Sequence, residues 1–441
     1  MKQPIDDRAF LARYLKPIKS EHISFNVNAS FFNLTRVANN SVTQNLSRNQ
    51  KTLTVSSWIG KKTGYSTTTD FSESGIKKCI DNAEFIASVS PENKETMPPL
   101  ENKDNLIHDN FDSQTAYMNP KERVSMISPA SFKAEDKGMN LAGTVSSGWN
   151  SQTIMNSKGL DVFYKESKGG FSGTLTNPEG GTFRVASESC WNLPSLNPEK
   201  AFDSLFSSIC IGDAVEKNPD KFRVLLLPEA VGSLLVWLLA QNDLRSVDEG
   251  RSAFSENGFK KHTDGRLCPA GINILLDPNH PDLRTAPFDY EGHPLRKRFL
   301  IKDGFIGQLN CSRYWAKKNQ KESTGSCWSM LFESSKKSLS LNDLIHTVDE
   351  GLFVPRFWYN RYVDPMQMMI TGLTRDGLRV ISKGSLGPRA KNFRFNDSPL
   401  RVLNNVIAVG KPELVSQWGM RMLVPPMVID GFSMTSIAPG E

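Results

Sequence analysis

The residues with the most suggestive chemistry lie where a buried strand is followed by a helix. Residues 223–227, Arg-Val-Leu-Leu-Leu, predict the strand, and Pro228 presets φ for the first turn of a helix that reaches Gln241. Glu229 lies in that turn, where the helix dipole favours a carboxylate. A glutamate here, between two histidines, would be a zinc-peptidase signature. Pro228 and Ser233 occupy the flanking positions, so that chemistry is missing.

The histidines and cysteines do not supply metal ligands at regular spacing. None of the six histidines lies within one helical turn of another, so neither HxxxH nor HxxH occurs. The cysteines lie far apart without a CxxC pair, which argues against a zinc ribbon or a dithiol motif. We expect reduced, buried thiols, and a composite metal site built from distant residues is left open. The cysteines are Cys79, Cys190, Cys210, Cys268, Cys311 and Cys327.

Two candidate nucleophiles lack the expected surroundings. Ser172 lacks the second glycine of a GxSxG elbow. Cys327 could pair with His346, but nothing nearby in the sequence would activate its thiol, so a buried cysteine is the preferred interpretation. A hydrolase that uses Glu229 or Cys327 without a partner is kept as an alternative.

The basic residues give only weak support for nucleic-acid binding. Arg296, Lys297 and Arg298 form the densest basic cluster, which could contact phosphate but is better interpreted as a solvated strand end. Lys391 and Arg394 form a second, weaker candidate for contact with phosphate. The formal net charge of +6 is small for 441 residues, so nucleic acid is permitted but not indicated.

Residues 357–377 have the composition of a peptide-binding segment. The sequence FWYNRYVDPMQMMITGLTRDG mixes aromatic rings with carboxylate, amide and guanidinium groups. Gly372 and Gly377 would let a main chain approach closely, as the addition of a substrate strand requires. A β-hairpin packed into the core is the alternative. The predicted substrate-binding residues are Asn360, Thr371, Gly372 and Arg375.

The patterns predict the elements that must position these residues. The helix after Pro228 should be buried along one side. In the first half we expect an opening helix at 5–19, several meander strands at 24–59, a helix at 71–87 capped by Ser72, a surface linker near 90–110, hairpins at 142–185 and a helix at 197–215. In the second half we expect strands at 272–277, 296–310 and 378–386 and a helix at 396–409.

These elements predict an α+β fold with two domains. The N-terminal strand-and-helix domain would cover residues 1–218, and residues 219–441 would form a C-terminal domain built on a large mixed β-sheet. The N-terminus lacks the apolar run of a signal peptide, and the longest apolar run, 224–240, is interrupted and short for a membrane span. We therefore expect a cytoplasmic protein without a membrane segment.

Several separate blocks, in the right order, resemble the TldD/PmbA family, once called modulators of DNA gyrase. ITGLTRDG in 370–377 and KNFRFNDSPL at 391–400 carry the resemblance most clearly. NNSVTQN at 39–45 and TGYSTTTD at 63–70 resemble the N-terminal region of the family. APFDYEGHPLRKRFLIKDGFI at 286–306 and STGS at 323–326 resemble its C-terminal region.

The resemblance implies a division of the family at the helix after Pro228. TldD members carry His-Glu-x-x-x-His there and a later cysteine as zinc ligands, and they act as peptidases with the glutamate as general base. TldE members, also called PmbA, lack the ligands and serve as partner subunits. This chain has Pro228, Glu229 and Ser233 at the motif positions and no cysteine after Cys327, so the resemblance implies a TldE-like subunit.

The sequence thus leads to a functional hypothesis with alternatives from other classes. The chain is predicted to be a non-catalytic partner of a TldD-like zinc peptidase, holding no cofactor itself because zinc belongs to the partner, and to help bind unfolded peptides or modified peptide precursors. Pairing of the chain with itself, when the partner is absent, is left open. The alternatives are a DNA- or gyrase-associated binding protein and the metal-free hydrolase named above.

Overall fold

The computed structural model of the chain describes residues 6–16, 19–101 and 107–438. Two short 3₁₀ turns cover Ala12–Tyr14 and Pro194–Leu196. None of the helices in these ranges is both long and apolar enough to cross a membrane. The α-helices are α1 Arg8–Leu11, α2 Glu73–Val89, α3 Ser113–Ala116, α4 Pro120–Asp136, α5 Pro198–Ser208, α6 Pro228–Ala240, α7 Leu244–Asp248, α8 Arg313–Asn319, α9 Leu341–Val348 and α10 Pro399–Asn404.

The strands of the first half form one sheet. They are β1 His22–Ala38, β2 Ser41–Ile59, β3 Lys62–Thr68, β4 Ile107–Asn110, β5 Asn140–Asn156, β6 Asp161–Ser167, β7 Gly169–Thr176 and β8 Thr182–Cys190. Among the described residues the order is β3-β2-β1-β5-β6-β4, while β7 pairs with β5 and β8. The pairing of β4 with β6 is parallel, whereas β1, β2, β5 and β7 form antiparallel pairs. The hairpins predicted at 142–185 are confirmed.

A long two-stranded ribbon replaces the meander predicted at 24–59. β1 and β2 are paired from His22 and Trp58 to Ala38 and Ser41. The ribbon turns at Asn39 and Asn40, whose φ angles of 48° and 62° suit a tight hairpin turn. The prediction of several strands was wrong because other asparagines lie within the strands. Their amides are satisfied across the ribbon, as in the 2.6 Å bonds from Ser47 to Asn33 and from Thr35 to Asn45.

The helices of the first half agree only in part with the predictions. α2 is confirmed with its cap, since Gly75 N donates to Ser72 Oγ at 3.1 Å. The opening helix is shorter than predicted, because only Arg8–Leu11 is α-helical before the 3₁₀ turn; residues 5, 17 and 18 lie outside the described part. The 197–215 helix ends at Ser208. Of the predicted linker, 102–106 also lie outside the described residues.

Helix α4 was not predicted because its buried side is not a row of large apolar residues. It buries Ile127 with Ala130, Ser131, Ala134 and the whole of Arg123. The Arg123 guanidinium donates to Thr35 Oγ1 at 3.1 Å and to Met118 O at 2.6 Å. Neutral acceptors on β1 and in the loop before α4 therefore hold this buried cation.

The second half contains two sheets. Its ten-stranded sheet consists of β9 Lys221–Leu226, β14 Ser338–Leu339, β15 Gly351–Val354, β16 Arg356–Asp364, β17 Met369–Arg375, β18 Arg379–Ser382, β19 Ser385–Arg389, β20 Phe393–Asp397, β21 Val406–Gly410 and β24 Met427–Ile437. The order is β16-β17-β20-β24-β9-β15-β18-β19, with β21 between β24 and β14. Because β9 and β15 are parallel and β9 and β24 antiparallel, the predicted large mixed sheet is confirmed.

The six-stranded sheet was not predicted as a separate unit. It consists of β10 Ile272–Leu276, β11 Arg298–Lys302, β12 Phe305–Ile306, β13 Met330–Ser334, β22 Glu413–Gln417 and β23 Met420–Val424, in the order β12-β11-β10-β13-β23-β22. The α10 helix is shorter than the 396–409 prediction, since residues from Val406 form β21. The α+β fold is confirmed, and the boundary between 218 and 219 stays a prediction.

Helix α6 lies in the largest core cluster of the second half and is buried on nearly every side. Ala230, Leu234 and Leu238 are fully buried, and Val231 and Val236 are 1% exposed. The prediction of burial along one side was wrong, because strands of both sheets contact the helix. A Cβ at Gly232 would lie 2.8 Å from the Val415 side chain, so only a glycine lets β22 approach this closely.

Candidate functional site at the start of helix α6

The candidate site is built on the junction between β9 and α6. β9 ends in buried apolar residues, and Leu227 is the N-cap residue in an extended conformation. Pro228 at the first helical position has no N–H to satisfy, which suits the start of a helix. Glu229 therefore projects from the first turn, and its side chain keeps 25% of its surface exposed.

A guanidinium from the first sheet is bound to Glu229. Arg184 Nη1 on β8 donates to both carboxyl oxygens of Glu229 at 2.8 Å. Arg184 is also paired with Glu188 on the same strand. Burial raises the pKa of Glu229, and the positive charges of Arg184 and Arg356 offset part of that rise. The carboxyl group is thus held in a charge-assisted pair rather than left open to solvent.

A second ion pair lies beside the first. Arg356 Nη1 is 2.9 Å from Asp376 Oδ2, and the Asp376 side chain is only 9% exposed. Burial, together with the neighbouring Arg184, lowers the pKa of Arg356. A cavity of about 210 Å³ opens over both pairs. It is lined by Arg184, Pro228, Glu229, Arg356, Asp376 and Glu413, among others.

The residues at the motif positions do not fit a zinc ion. Pro228 has no donor atom in its side chain, and Ser233 Oγ donates to Ala230 O at 2.8 Å within the helix. Glu229 is already bound by Arg184, and one carboxylate does not replace three ligands. Among residues 6–16, 19–101 and 107–438, no group of three or more His, Cys, Asp and Glu side chains is placed to share a metal ion.

Two of the predicted substrate-binding residues, Asn360 and Gly372, lie next to each other, and Asn360 also contacts α6. Asn360 Nδ2 on β16 donates to Ser233 O at 3.1 Å, which ties the edge strand to the helix. Asn360 Oδ1 fills the space where Gly372 lacks a side chain, and this buried oxygen has no hydrogen-bond partner among the described residues. Gly372 thus makes room for Asn360. Its strand, β17, is paired on both edges, by β16 and β20.

The other two predicted residues point to the outer face of β17. Thr371 and Arg375 are half-buried, whereas Gly372 between them is buried. Arg394 Nη1 donates to Thr371 Oγ1 at 3.5 Å. The Arg375 guanidinium lies 4.2 Å from the centre of the Trp358 ring and 3.6 Å from Asp376 Oδ1. The structure therefore separates the four residues onto two faces, and their role in substrate binding stays a prediction.

The edge strand β16 offers main-chain groups next to exposed aromatic rings. It ends the ten-stranded sheet, and Trp358 and Tyr359 are 42% and 59% exposed. Its register is irregular between Trp358 and Arg361, where Tyr359 has a φ of 62°. A substrate strand could add here rather than at Gly372.

Cys327 and the basic cluster at 296–298, the other candidates from the sequence, have structural contacts. Cys327 is 1% exposed and contacts Ser329 Oγ at 3.3 Å, as expected for a buried cysteine. The basic cluster at 296–298 is only partly the solvated strand end that the sequence predicts. Arg298 is buried and donates to the carbonyl oxygen of Thr324 at 3.3 Å. Lys297 is 3.7 Å from Asp277.

The sequence did not point to Arg184, Arg356 or Asp376. Arg184 lies in an alternating strand where an arginine is unremarkable, and its partner is 45 residues away. Asp376 precedes Gly377 in a dipeptide typical of turns. The pairing of β16 with β17 brings Arg356 to Asp376, and the packing of the first sheet against the second half of the chain brings Arg184 beside them.

Comparison with known proteins places these features in a family. The model described as PmbA/TldA metallopeptidase C-terminal domain matches residues 219–436, and the model for PmbA/TldA metallopeptidase domain 1 matches residues 27–87. The chain is 24% identical over 329 residues to a protein named Metalloprotease PmbA homolog from Haemophilus influenzae, covering 69% of each.

Solved structures share the fold at low sequence identity. TldE from Thermococcus kodakarensis matches with a TM-score of 0.82 and 19% identity, over 97% of this chain and 99% of that one. A protein named as a candidate modulator of a DNA gyrase, from Thermotoga maritima, matches with a TM-score of 0.78 and 17% identity, over 97% of both chains. Identity at this level supports the fold.

Proposed function

This chain belongs to the PmbA/TldD family, and we propose that within it the chain is a non-catalytic, TldE-like subunit. It pairs with a TldD-like zinc peptidase and helps to bind unfolded peptides or modified peptide precursors, which the partner cleaves. The zinc ion belongs to the partner. The complex acts in proteolysis and peptide maturation in the cytoplasm.

The observation that carries this proposal is the pairing of Glu229 with Arg184. In a zinc peptidase a glutamate at this position must accept a proton from a metal-bound water. Here a guanidinium lies 2.8 Å from both carboxyl oxygens, where that water would have to approach. Pro228 and Ser233 offer no imidazole. This ion pair supports a non-catalytic role for the chain.

Peptide binding is the remaining task that this half of the complex can perform. The edge of β16 presents main-chain groups beside exposed Trp358 and Tyr359. Asn360 lies on β16 itself, and Thr371 and Arg375 lie on the neighbouring strand β17. Main-chain pairing gives affinity without requiring a particular sequence, which suits an unfolded substrate.

The test is reconstitution with a chain that contains HExxxH. The two chains are expressed separately and together, and peptide cleavage, zinc content and co-purification are measured for each sample. We expect a stable complex, cleavage when both chains are present, and no change when Glu229→Gln replaces the wild-type chain in the complex. Stoichiometric zinc in this chain alone, together with cleavage that Glu229→Gln abolishes, would overturn the proposal.

The DNA- or gyrase-associated function has less support. The net charge of +6 is small, and Arg298 of the densest basic cluster is buried. Binding to DNA that weakens steeply with salt would favour this alternative, and absence of retention on a DNA column at low salt would count against it.

A further inference from the structure

Two large cavities lie along one face of the first sheet. The strands β1, β2 and β5 bury Phe25, Val55 and Met155, respectively, on the side that carries α2. Because side chains alternate between the faces of a strand, the neighbouring residues point to the opposite side. That side borders one cavity of about 520 Å³ and another of about 430 Å³.

The floor of the first cavity consists of rows of polar side chains. Ser30 is paired with Gln50 on β2 and with Asn150 on β5. In the next row, Asn28 is paired with Thr52 and with Gln152. All six residues line the cavity. No hydrogen bond ties the side chains of Gln50 and Asn150 to the part of the chain that the structure describes, so their amides are available.

Polar rows continue in the floor of the second cavity, with Ile154 as an apolar member. Asn26 is paired with Thr54 and Ile154, and Ser24 with Ser56 and Asn156. These six residues line the second cavity. Because the four rows follow one another along the same strands, the two cavities border successive parts of one sheet face. We call this face with its two cavities the polar groove.

Residues from the second half of the chain form the opposite wall of the polar groove. Trp328 and Met420 border the first cavity, and Tyr290 and Tyr314 border the second. Trp328 is 47% exposed and Tyr290 67%. The polar groove is therefore a slot with a hydrogen-bonding floor and an aromatic wall, not an ordinary solvated sheet face.

Two of the three charged groups beside the first cavity neutralise each other, and the third is Lys168. Arg421 Nη2 lies 3.1 Å from Glu166 Oε2, and Tyr164 donates to the same oxygen at 2.9 Å. The floor itself is made of uncharged amides and hydroxyls. Such a surface suits an uncharged ligand that carries both donors and acceptors.

We propose that the polar groove binds an extended polypeptide through its main chain. Successive rows are about 6.6 Å apart, which is the distance over which an extended chain repeats its N–H and C=O groups. Four rows span about 20 Å, enough for about six residues. The available amides of Gln50 and Asn150 can both donate and accept, so recognition through them does not depend on the peptide sequence. The amide of Asn156 is already bonded to Leu100, Lys158 and Leu160. The aromatic wall accommodates apolar side chains.

This inference deepens the proposed function, on which it rests for the choice of a peptide as the ligand. It is tested on the full-length chain without a partner, so that failure of pairing and failure of the polar groove are distinguishable. The probes are a fluorescein-labelled, disordered decapeptide and its scrambled version, with binding measured by fluorescence anisotropy. Maltoheptaose serves as the competing ligand class, because amide floors with aromatic walls also suit sugars.

Asn28→Leu is the principal variant, and Asn49→Leu is its matched control. Both asparagines are exposed on the same ribbon, but Asn49 is adjacent to Gln50 on β2 and therefore points to the other face. We expect Asn28→Leu to weaken decapeptide binding about fivefold, the effect of one lost hydrogen bond, and Asn49→Leu to leave it unchanged. Trp328→Ala should also weaken decapeptide binding, because it removes an aromatic ring from the wall of the polar groove.

Binding of both decapeptides with similar affinity, sensitive to Asn28 and Trp328, would support the inference. It would be overturned if the wild-type chain failed to bind either decapeptide, or if Asn28→Leu and Asn49→Leu had equal effects. Binding of maltoheptaose that depends on Asn28, without binding of peptide, would also overturn it. Circular dichroism on each variant establishes that the fold is intact.

Discussion

Arg184 Nη1 lies 2.8 Å from both carboxyl oxygens of Glu229, although Arg184 belongs to the first sheet and Glu229 to the first turn of α6. The pair therefore joins the two halves of the chain at the place where a zinc-dependent relative would need an unencumbered glutamate. Both side chains are mostly buried, at 15% and 25% exposure. Loss of either side chain should therefore lower the free energy of unfolding more clearly than it changes any catalytic activity.

Arg184→Met is expected to destabilise the fold by about 1–3 kcal/mol, because it leaves the Glu229 carboxyl without its partner in a largely buried place. The free energy of unfolding is measured by urea denaturation. In the double variant Arg184→Met/Glu229→Gln, the cost should be smaller than the sum of the single costs, since no charge is left unpaired. Strictly additive effects would mean that the two residues do not interact.

Glu229→Gln should flatten the dependence of stability on pH. Burial raises the pKa of Glu229 in the folded state, so folding favours the protonated carboxyl. The stability that this group contributes is complete below its unfolded pKa of about 4.3 and is lost as the pH rises through the folded pKa. Wild type should therefore lose stability relative to Glu229→Gln as the pH rises above the unfolded pKa of about 4.3, measured by urea denaturation. Parallel profiles of the free energy of unfolding against pH for the two proteins would contradict this prediction.

Restoring both histidines should not restore a zinc site. The variant Pro228→His/Ser233→His supplies two imidazoles, but no cysteine follows Cys327 in the sequence, and Arg184 still holds Glu229. Zinc requires at least three protein ligands in such a site. Metal analysis after dialysis should find far less than one zinc per chain, with a zinc-containing family member analysed in parallel. Tight binding of one zinc ion per chain by the variant would contradict this prediction.

The sequence predicted the parts of the site that depend on local rules. Pro228 at the first helical position and the apolar residues around it specify the β9–α6 junction without help from the rest of the chain. The Arg184–Glu229 pair could not be predicted in this way, since it depends on how the first sheet packs on the second half. The same holds for Asn360, whose amide reaches Ser233 O across 127 residues.

The long ribbon shows a related difficulty. Asparagine is common in turns, so the pattern of residues 24–59 predicts several strands. Only the positive φ angles at Asn39 and Asn40 mark the real turn, whereas Asn26 and Asn28 are floor residues of the polar groove. Turn propensity alone cannot distinguish an asparagine that ends a strand from one that lines its face.

Gly372→Ala is expected to destabilise the second half of the chain. A Cβ there would overlap Asn360 Oδ1 and lie 2.7 Å from the Phe395 ring, so β16 or the core must shift, at a cost of about 1–3 kcal/mol. Gly387→Ala in the same sheet is the control, because its nearest atom, Val380 O, is 3.3 Å away. The free energies of unfolding are compared by urea denaturation. A cost for Gly372→Ala no greater than for Gly387→Ala would refute this packing.

The cysteines should differ sharply in reactivity in the folded chain. Cys210 is half-buried, whereas the other five are buried. Burial raises the pKa of Cys190 and of Cys268 to about 12, so these thiols stay protonated even at pH 9, and only a thiolate reacts quickly. Iodoacetamide labelling, located by mass spectrometry, should therefore modify Cys210 in the native protein and all six cysteines in denaturant. Cys210→Ser should abolish native labelling, and rapid modification of Cys190 or Cys268 at pH 9 would show that these elements open far more readily than their packing implies.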